Sequence, residues 1–293
     1  NELAPDKSLP RLSGGAIGYI AYDYIKNIEK IPDTQNPELS LPELYFIFPK
    51  VIIAFDHLKQ RIKIIRLIKP SEKINYKNAC DEIEKLVKEL PEPVLTKPCS
   101  SIPHRGTHRG TGAVKSNTAK GKFLSSVVRA KKYIKDGDVI QTVLSQRFET
   151  KFEGKPFEIY SALRILNPSP YMYYFNLGDI KIIGASPEIL VRLEHTTANV
   201  RPIAGTRRRG KDALEDKKLQ KELLNDEKEK AEHLMLVDLG RNDLGRVCKF
   251  GSVKLTNFMS VEKYSHVMHI VSDVIGKLKT SADAFELLKA TFP

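Results

Sequence analysis

The sequence predicts an α+β fold with antiparallel sheets, and two observations carry that prediction. Apolar and polar residues alternate in runs joined by connectors too short for a crossover helix, and helical periodicity is grouped between those runs instead of following each strand. Residues 41–67 alternate in two segments, LYFIFPKVIIAFD and RIKIIRLI, around a turn at 57–60, the pattern of a hairpin. Upstream, GGAIGYIAYDYI over 14–25 predicts another strand entered through glycines. In YKNACDEIEKLVKEL, Ala79, Ile83, Leu86 and Leu90 recur at helical spacing until Pro91 stops the helix.

The pattern resumes with a helix near 122–135, a strand over VIQTVLSQRFETKF, and a helix near 156–166 that ends at NPSP. From 171 to 205 four strands are expected in succession, YMYYFNL, IKIIGAS, EILVRLE and NVRPIAG. One long polar helix from about Asp212 to Val237 follows, then the strands SVKLTNFMSVEKY and HVMHIVSDVIGKL and a helix starting near Ser281. No internal repeat recurs at a fixed period.

With 293 residues, 41% hydrophobic and 29% charged, the chain is long enough to bury a sizeable core. Cys80, Cys99 and Cys248 are odd in number and far apart, without CxxC spacing, which argues against a disulfide framework or a zinc site and for a reducing, cytoplasmic compartment. No apolar window reaches membrane-spanning length, and the first residues lack the order of a signal peptide, so no membrane partner is expected. Much of the net charge of +12 is local: KPCSSIPHRGTHRGTGAVKSNTAKGK, residues 97–122, holds many basic residues and no acidic one. Its Gly, Ser, Thr and Pro content reads as a flexible connector, and it lacks the aromatic residues of a single-strand nucleic-acid groove. The expected division is an N-terminal part over 1–96, a basic connector over 97–121 and a catalytic domain over 122–293.

Three stretches carry candidate chemistry. In VRPIAGTRRRG, residues 200–210, a strand-like run turns at Pro202, breaks at Gly205 and Thr206, and meets three arginines. A surface hairpin end would explain this, with the arginines facing solvent; so would a backbone that must approach an anion closely. In NDEKEKAEHLMLVDLGRNDLGRV, Glu229, Glu232 and His233 fall at i, i+3 and i+4 on one helical face, next to an apolar segment that should be buried. Such carboxylates suit a hard divalent cation such as Mg²⁺, although a solvated acidic face gives the same spacing. His269 lies in the apolar run KYSHVMHIVSDV, where a histidine is either a hydrogen-bonded core residue or a proton-transfer group.

Together with GGAIGYIAYD, DVIQTVLSQRF, NPSPYMYYF and IGASPEILVR, and in this order, these stretches resemble the chorismate-utilising enzymes, most closely component I of anthranilate synthase. The likeness runs from about Gly14 to the last residue, with the basic connector as its weakest part. It implies a four-layer α/β/β/α sandwich and a Mg²⁺-dependent lyase that aminates chorismate at ring carbon C2 and then eliminates pyruvate to leave anthranilate, a step of tryptophan biosynthesis. The ammonia would come from a glutamine amidotransferase partner, component II. By motif, Glu232 matches a magnesium ligand, with Glu229 one turn before it at the same site. Gly205 and Thr206 match contacts to chorismate through backbone and hydroxyl, and His269 matches the histidine that performs acid–base work on the ring substituents.

Two positions sort the family. Enzymes making the para-amino product are expected to carry Lys in place of Ala204, and those adding water at C2 a lysine base in place of Gln141; an amide cannot take up that proton. Both positions favour an ammonia-using enzyme. NPSPYMYY matches the family's feedback site, so that Pro170, Tyr171 and Met172 would line a pocket for tryptophan. Measured against the family pattern, the 293 residues are expected to lack segments at both ends, including a second metal-binding glutamate, and therefore to be inactive alone. The alternatives are para-aminobenzoate synthase component I, an aminodeoxyisochorismate synthase, or a basic binding protein without activity.

Overall fold

The computed structural model describes residues 9–32, 39, 41–69, 71–90 and 112–293. Most of the expected basic connector, residues 97–111, lies outside the described residues. The chain divides into two units, one made of Asn1–Glu92 and Arg164–Pro293, the other of Pro93–Leu163.

In the first unit β1 (Ile17–Ile20) pairs antiparallel with β2 (Leu44–Ile47), and β3 (Val51–Asp56) with β4 (Arg61–Arg66) around the expected turn. The strand expected over 14–25 stops at Ile20: β2 is only four residues long, and past Ala21, whose N–H reaches the Glu43 carbonyl at 2.7 Å, the chain winds into a 3-10 helix, Tyr22–Asn27. Helix α1 (Tyr76–Glu89) forms as the apolar spacing predicts, capped by the Asn75 side chain. Arg66, with a side chain only 2% exposed, ties β4 to α1 and the preceding loop through Glu82 and Glu72.

The second unit holds β5 (Lys115–Ser116), α2 (Lys120–Asp136) and β6 (Phe148–Glu149), the two strands pairing antiparallel. Gly137 ends α2 in a left-handed conformation, φ 83°, which a glycine adopts without steric cost. The strand expected over 139–152 shrinks to β6, because only Phe148 and Glu149 face a partner strand. Helix α3 (Pro156–Leu166) starts on a proline, whose missing N–H is not needed in the first turn.

In the first unit, β7 (Tyr171–Leu177) and β8 (Ile180–Ser186), each of seven residues, form an antiparallel hairpin. The main sheet has five strands: β9 (Arg192–Glu194), β10 (Thr197–Val200), β11 (Ile203–Arg208), β12 (Lys254–Lys263) and β13 (Val267–Lys277). β13 is its axis, with β12 along one side and β10 and β11 in succession along the other, all antiparallel. Burial largely alternates along β13, Met268, Ile270, Ser272, Val274 and Gly276 being buried and most residues between them only partly so, as in a strand packed chiefly on one face. The run NVRPIAG divides into β10 and β11 because Pro202 has no N–H to give the ladder; its carbonyl instead accepts the Ser272 N–H at 3.1 Å.

The single helix expected over 212–237 is two, α4 (Ala213–Asn225) and α5 (Glu227–Val247). Asp226 breaks it: with φ −71° and ψ 112° it leaves the helix and caps α5 by accepting the Glu229 N–H at 3.1 Å, the local hydrogen bond that makes Asp a helix starter and a poor interior residue. α5 and α6 (Ala284–Thr291) pack with the sheet around Ala198, Val237, Leu244, Val274 and Leu287; α4 buries Leu223 against Met268 and Ile270 of β13. Met268, Ile270, Ser272 and Val274 thus face the helices, and by alternation His269 lies on the opposite face.

Candidate functional site

The site is organised by one irregularity. Ala204 pairs with Ile270, but Thr206, not Gly205, pairs with His269, so Gly205 is an extra residue in β11, a β-bulge with Gly205 at φ 67°. A β-carbon there would meet Leu223 Cδ1 at 3.0 Å and Glu229 Oε2 at 3.3 Å. Because side chains alternate, the inserted residue reverses every position after it. Thr206 is turned onto the face of His269, and Arg207 onto the helix face.

His269 Nδ1 stands 2.9 Å from the Gly205 carbonyl oxygen and 3.1 Å from Thr206 Oγ1. A carbonyl only accepts, so Nδ1 carries the proton of a neutral ring and Nε2 is left with the lone pair. Tyr264 holds the ring edge-on at 5.6 Å between centroids. Glu188, which lies near His269, accepts the Ile203 N–H at 3.2 Å. Desolvation raises the Glu188 pKa above the ordinary carboxylate value, against the lowering by Ile203 and His269. Glu188 also lines a cleft of about 370 Å³ with Arg201, Pro202, Gly240 and Asp243, and burial raises the Asp243 pKa as well.

On the helix side Arg207 is turned inward, contrary to the solvent-facing arginines expected from the sequence. Its side chain is 20% exposed and its guanidinium reaches Glu222 (3.1 Å), Asp226 (2.8 Å) and Glu229 (3.3 Å). Arg209 likewise turns inward, to Asp216 at 2.7 Å and the Tyr264 carbonyl at 2.6 Å, holding the Asp216 carboxyl far below the usual range with help from the Gly210 N–H. Of the three arginines only Arg208, 59% exposed and paired with Glu215, is largely at the surface. The shared helical face is also corrected: His233 is fully buried, its Nε2 2.7 Å from Ser272 Oγ, and serves the core.

Glu229 is therefore drawn to the bulge, whereas Glu232, half-buried, has no ion-pair or hydrogen-bond partner among the described residues. No group of three metal-ligating side chains forms among the described residues. One uncommitted carboxylate with a second one turn away fits Mg²⁺, which takes one or two carboxylates and completes its shell with substrate oxygens and water. Ala204 is buried beside the bulge, opposite Ile270. Gln141 lies exposed in the second unit, in a stretch without regular structure. Pro170 precedes β7, and Tyr171 and Met172 open it, their side chains on opposite faces of the hairpin; Arg192 Nη2 donates to Tyr171 Oη at 2.7 Å.

Sequence reasoning missed Glu188 and Arg207. A carboxylate directly after Pro187 gives no pattern by itself, but counting one extra residue at Gly205 would have turned Arg207 inward.

Comparison with known proteins places the chain in a family. The model of the chorismate binding enzyme family matches residues 1–293. Anthranilate synthase component 1 of Aquifex aeolicus is 49% identical over 292 residues and that of Acetivibrio thermocellus 46% over 288, each match covering 98% of this chain and 58% of the relative. The chain thus spans less than two thirds of the length of these relatives. Among solved structures, anthranilate synthase component I from Streptococcus pneumoniae superposes with a TM-score of 0.84 at 38% identity, covering 97% of this chain and 61% of that one. The menaquinone-specific isochorismate synthase of Escherichia coli, at 17% identity and a TM-score of 0.65 over 94% of this chain and 63% of that one, shares the fold. An α+β chain with antiparallel sheets, matched along its whole length, it belongs to the chorismate binding enzyme family.

Proposed function

We propose that this chain is the chorismate-converting part of an anthranilate synthase component I. The observation that carries the reading is the cross-strand pair Thr206–His269, set by the Gly205 bulge, with the raised-pKa carboxyl of Glu188 near His269. Relatives 40–49% identical that bear that component's name support it.

The balance of the reaction is chorismate plus ammonia to anthranilate, pyruvate and water. The ring hydroxyl and the enolpyruvyl ether must both leave, and a hydroxyl leaves readily only with a proton. Glu188, biased toward its protonated form, is suited to give that proton; His269 Nε2 is suited to take one as the ring becomes aromatic. Thr206 Oγ1 donates to the substrate, and Gly205, without a β-carbon, lets the backbone approach it. Glu232, with Glu229 beside it, would hold Mg²⁺, whose charge offsets the substrate carboxylates. Ala204, in place of a lysine, leaves C2 to ammonia, which a glutamine amidotransferase subunit would supply. Pro170, Tyr171 and Met172 would take tryptophan as feedback inhibitor.

No helix among the described residues is long and apolar enough to cross a membrane, and cysteine usage favours the cytoplasm. The test is ammonia-dependent formation of fluorescent anthranilate from chorismate and Mg²⁺, on this chain and on the longer protein of its relatives' length. A para-amino product, or no product from the longer protein, would overturn the reading.

A further inference from the structure

We propose that Arg207 is a positioning residue: it sets the first turn of α5 against the β11 bulge, and so places Glu229 and Glu232 for the metal. The proposal rests on the reading of Glu232 as a Mg²⁺ ligand. All three guanidinium nitrogens of Arg207 are committed. Nε donates to Glu222 Oε1 at 3.1 Å, Nη2 to Asp226 Oδ2 at 2.8 Å, and Nη1 to Glu229 Oε1 at 3.3 Å and the Thr206 carbonyl at 3.0 Å. One planar fork therefore joins the strand that carries Thr206 to both helices.

Asp226 gives the contact its leverage. Its Oδ1 starts α5 by accepting the Glu229 N–H, and its Oδ2 receives Arg207, so one carboxylate fixes both where the helix begins and where its end is held. Glu229 lies in that first turn, and Glu232 is three residues on, about 4.5 Å further along the axis. A small rotation of the first turn would swing both carboxylates. Removing the guanidinium would also leave Glu222, Asp226 and Glu229 without their shared cation, and mutual repulsion should drive that rotation.

A purely electrostatic role predicts the opposite sign. If Arg207 only neutralised charge, its loss would free Glu229 and tighten cation binding. A positioning role predicts weaker binding although the site has become more negative. Lysine keeps the charge but, with one nitrogen, cannot bridge the three carboxylates.

The experiment is calorimetric titration of the full chain with Mg²⁺ alone, with thermal melting of each variant alongside. Arg207→Ala and Arg207→Lys should each raise the Mg²⁺ dissociation constant about tenfold or more, a shift of about 1.4 kcal/mol. Arg208→Ala, which removes an equal charge from the outward side of the same strand, should bind Mg²⁺ like the parent. Where Arg207→Ala fails to fold, Arg207→Lys decides. Unchanged or tighter Mg²⁺ binding by folded Arg207 variants, with binding abolished in Glu232→Gln, would overturn the positioning role and leave the metal site standing. Unchanged binding in Glu232→Gln would remove the metal reading, and this proposal with it.

Discussion

His269 turns Nδ1 to the carbonyl of Gly205, 2.9 Å away, and that contact decides which ring nitrogen is basic. The bulge glycine therefore does more than admit a ligand. Its carbonyl orients the imidazole, and the extra residue brings Thr206 alongside it.

His269→Ala should lower turnover by roughly a hundredfold or more with chorismate binding largely kept. His269→Asn separates the two roles of the ring, since an amide N–H can still donate to the Gly205 carbonyl but offers no base. If proton transfer is the role, steady-state rates of both variants should be equally low. Restoration of turnover by Asn would make His269 a core residue.

Gly205→Ala should both destabilise the fold and slow the enzyme. A left-handed conformation costs a non-glycine residue about 1–2 kcal/mol, and the new methyl would press on Leu223 and Glu229 at 3.0 and 3.3 Å. A melting temperature lowered by several degrees, with a raised KM for chorismate, is the expected result. Parental values for both would mean that the bulge is not strained by a side chain.

How far the sequence foretold this site depends on the kind of signal. Hairpin β3–β4, helix α1 and strand β13 were legible because each writes its own periodicity. The strand expected over 139–152 failed because alternation states a capacity for pairing, and the partner there is two residues long. The break between α4 and α5 was legible in principle: Asp226 stands three residues before Glu229, a capping spacing inside a helical pattern. Gly205 and Thr206 were recognised as a special point, yet the direction of Arg207 was not, because a bulge changes the parity of all later residues and shows only in the register with β13.

Tryptophan feedback is open to a direct optical test, because the chain contains no tryptophan of its own. Added tryptophan should bind the enzyme with a change in its own emission and should inhibit. Met172→Thr, altering a partly buried side chain opposite Ala185 in the hairpin, should relieve the inhibition. An enzyme indifferent to tryptophan would rule out this regulation.

Acid stability should depend on Asp216. Its folded-state pKa is depressed, chiefly by Arg209 and then by the Gly210 N–H, so the ionised form stabilises the fold above the unfolded-state value of about 4. That contribution fades as pH falls through the folded-state pKa. Asp216→Asn should therefore melt well below the parent at pH 7, and the difference should narrow below about pH 4. A difference independent of pH would point to packing instead of charge.

Glu188 has the opposite sign, and the contrast tests whether it is the acid. Its pKa is raised because the cleft desolvates the carboxyl, so the folded protein favours the protonated form and loses stability as pH rises through that value. Glu188→Gln mimics the protonated acid in shape and keeps an acceptor for the Ile203 N–H. Its melting temperature should match the parent at low pH and equal or exceed it above the Glu188 pKa. Turnover should behave otherwise: an amide gives no proton to the departing hydroxyl, so the variant should be slowed about a hundredfold or more, and the fall in parental turnover at high pH should vanish from its profile. A variant as stable as expected but with parental turnover would show that another group protonates the ring hydroxyl, and a variant that has lost stability at low pH would show that the amide does not stand in for the protonated acid at this position.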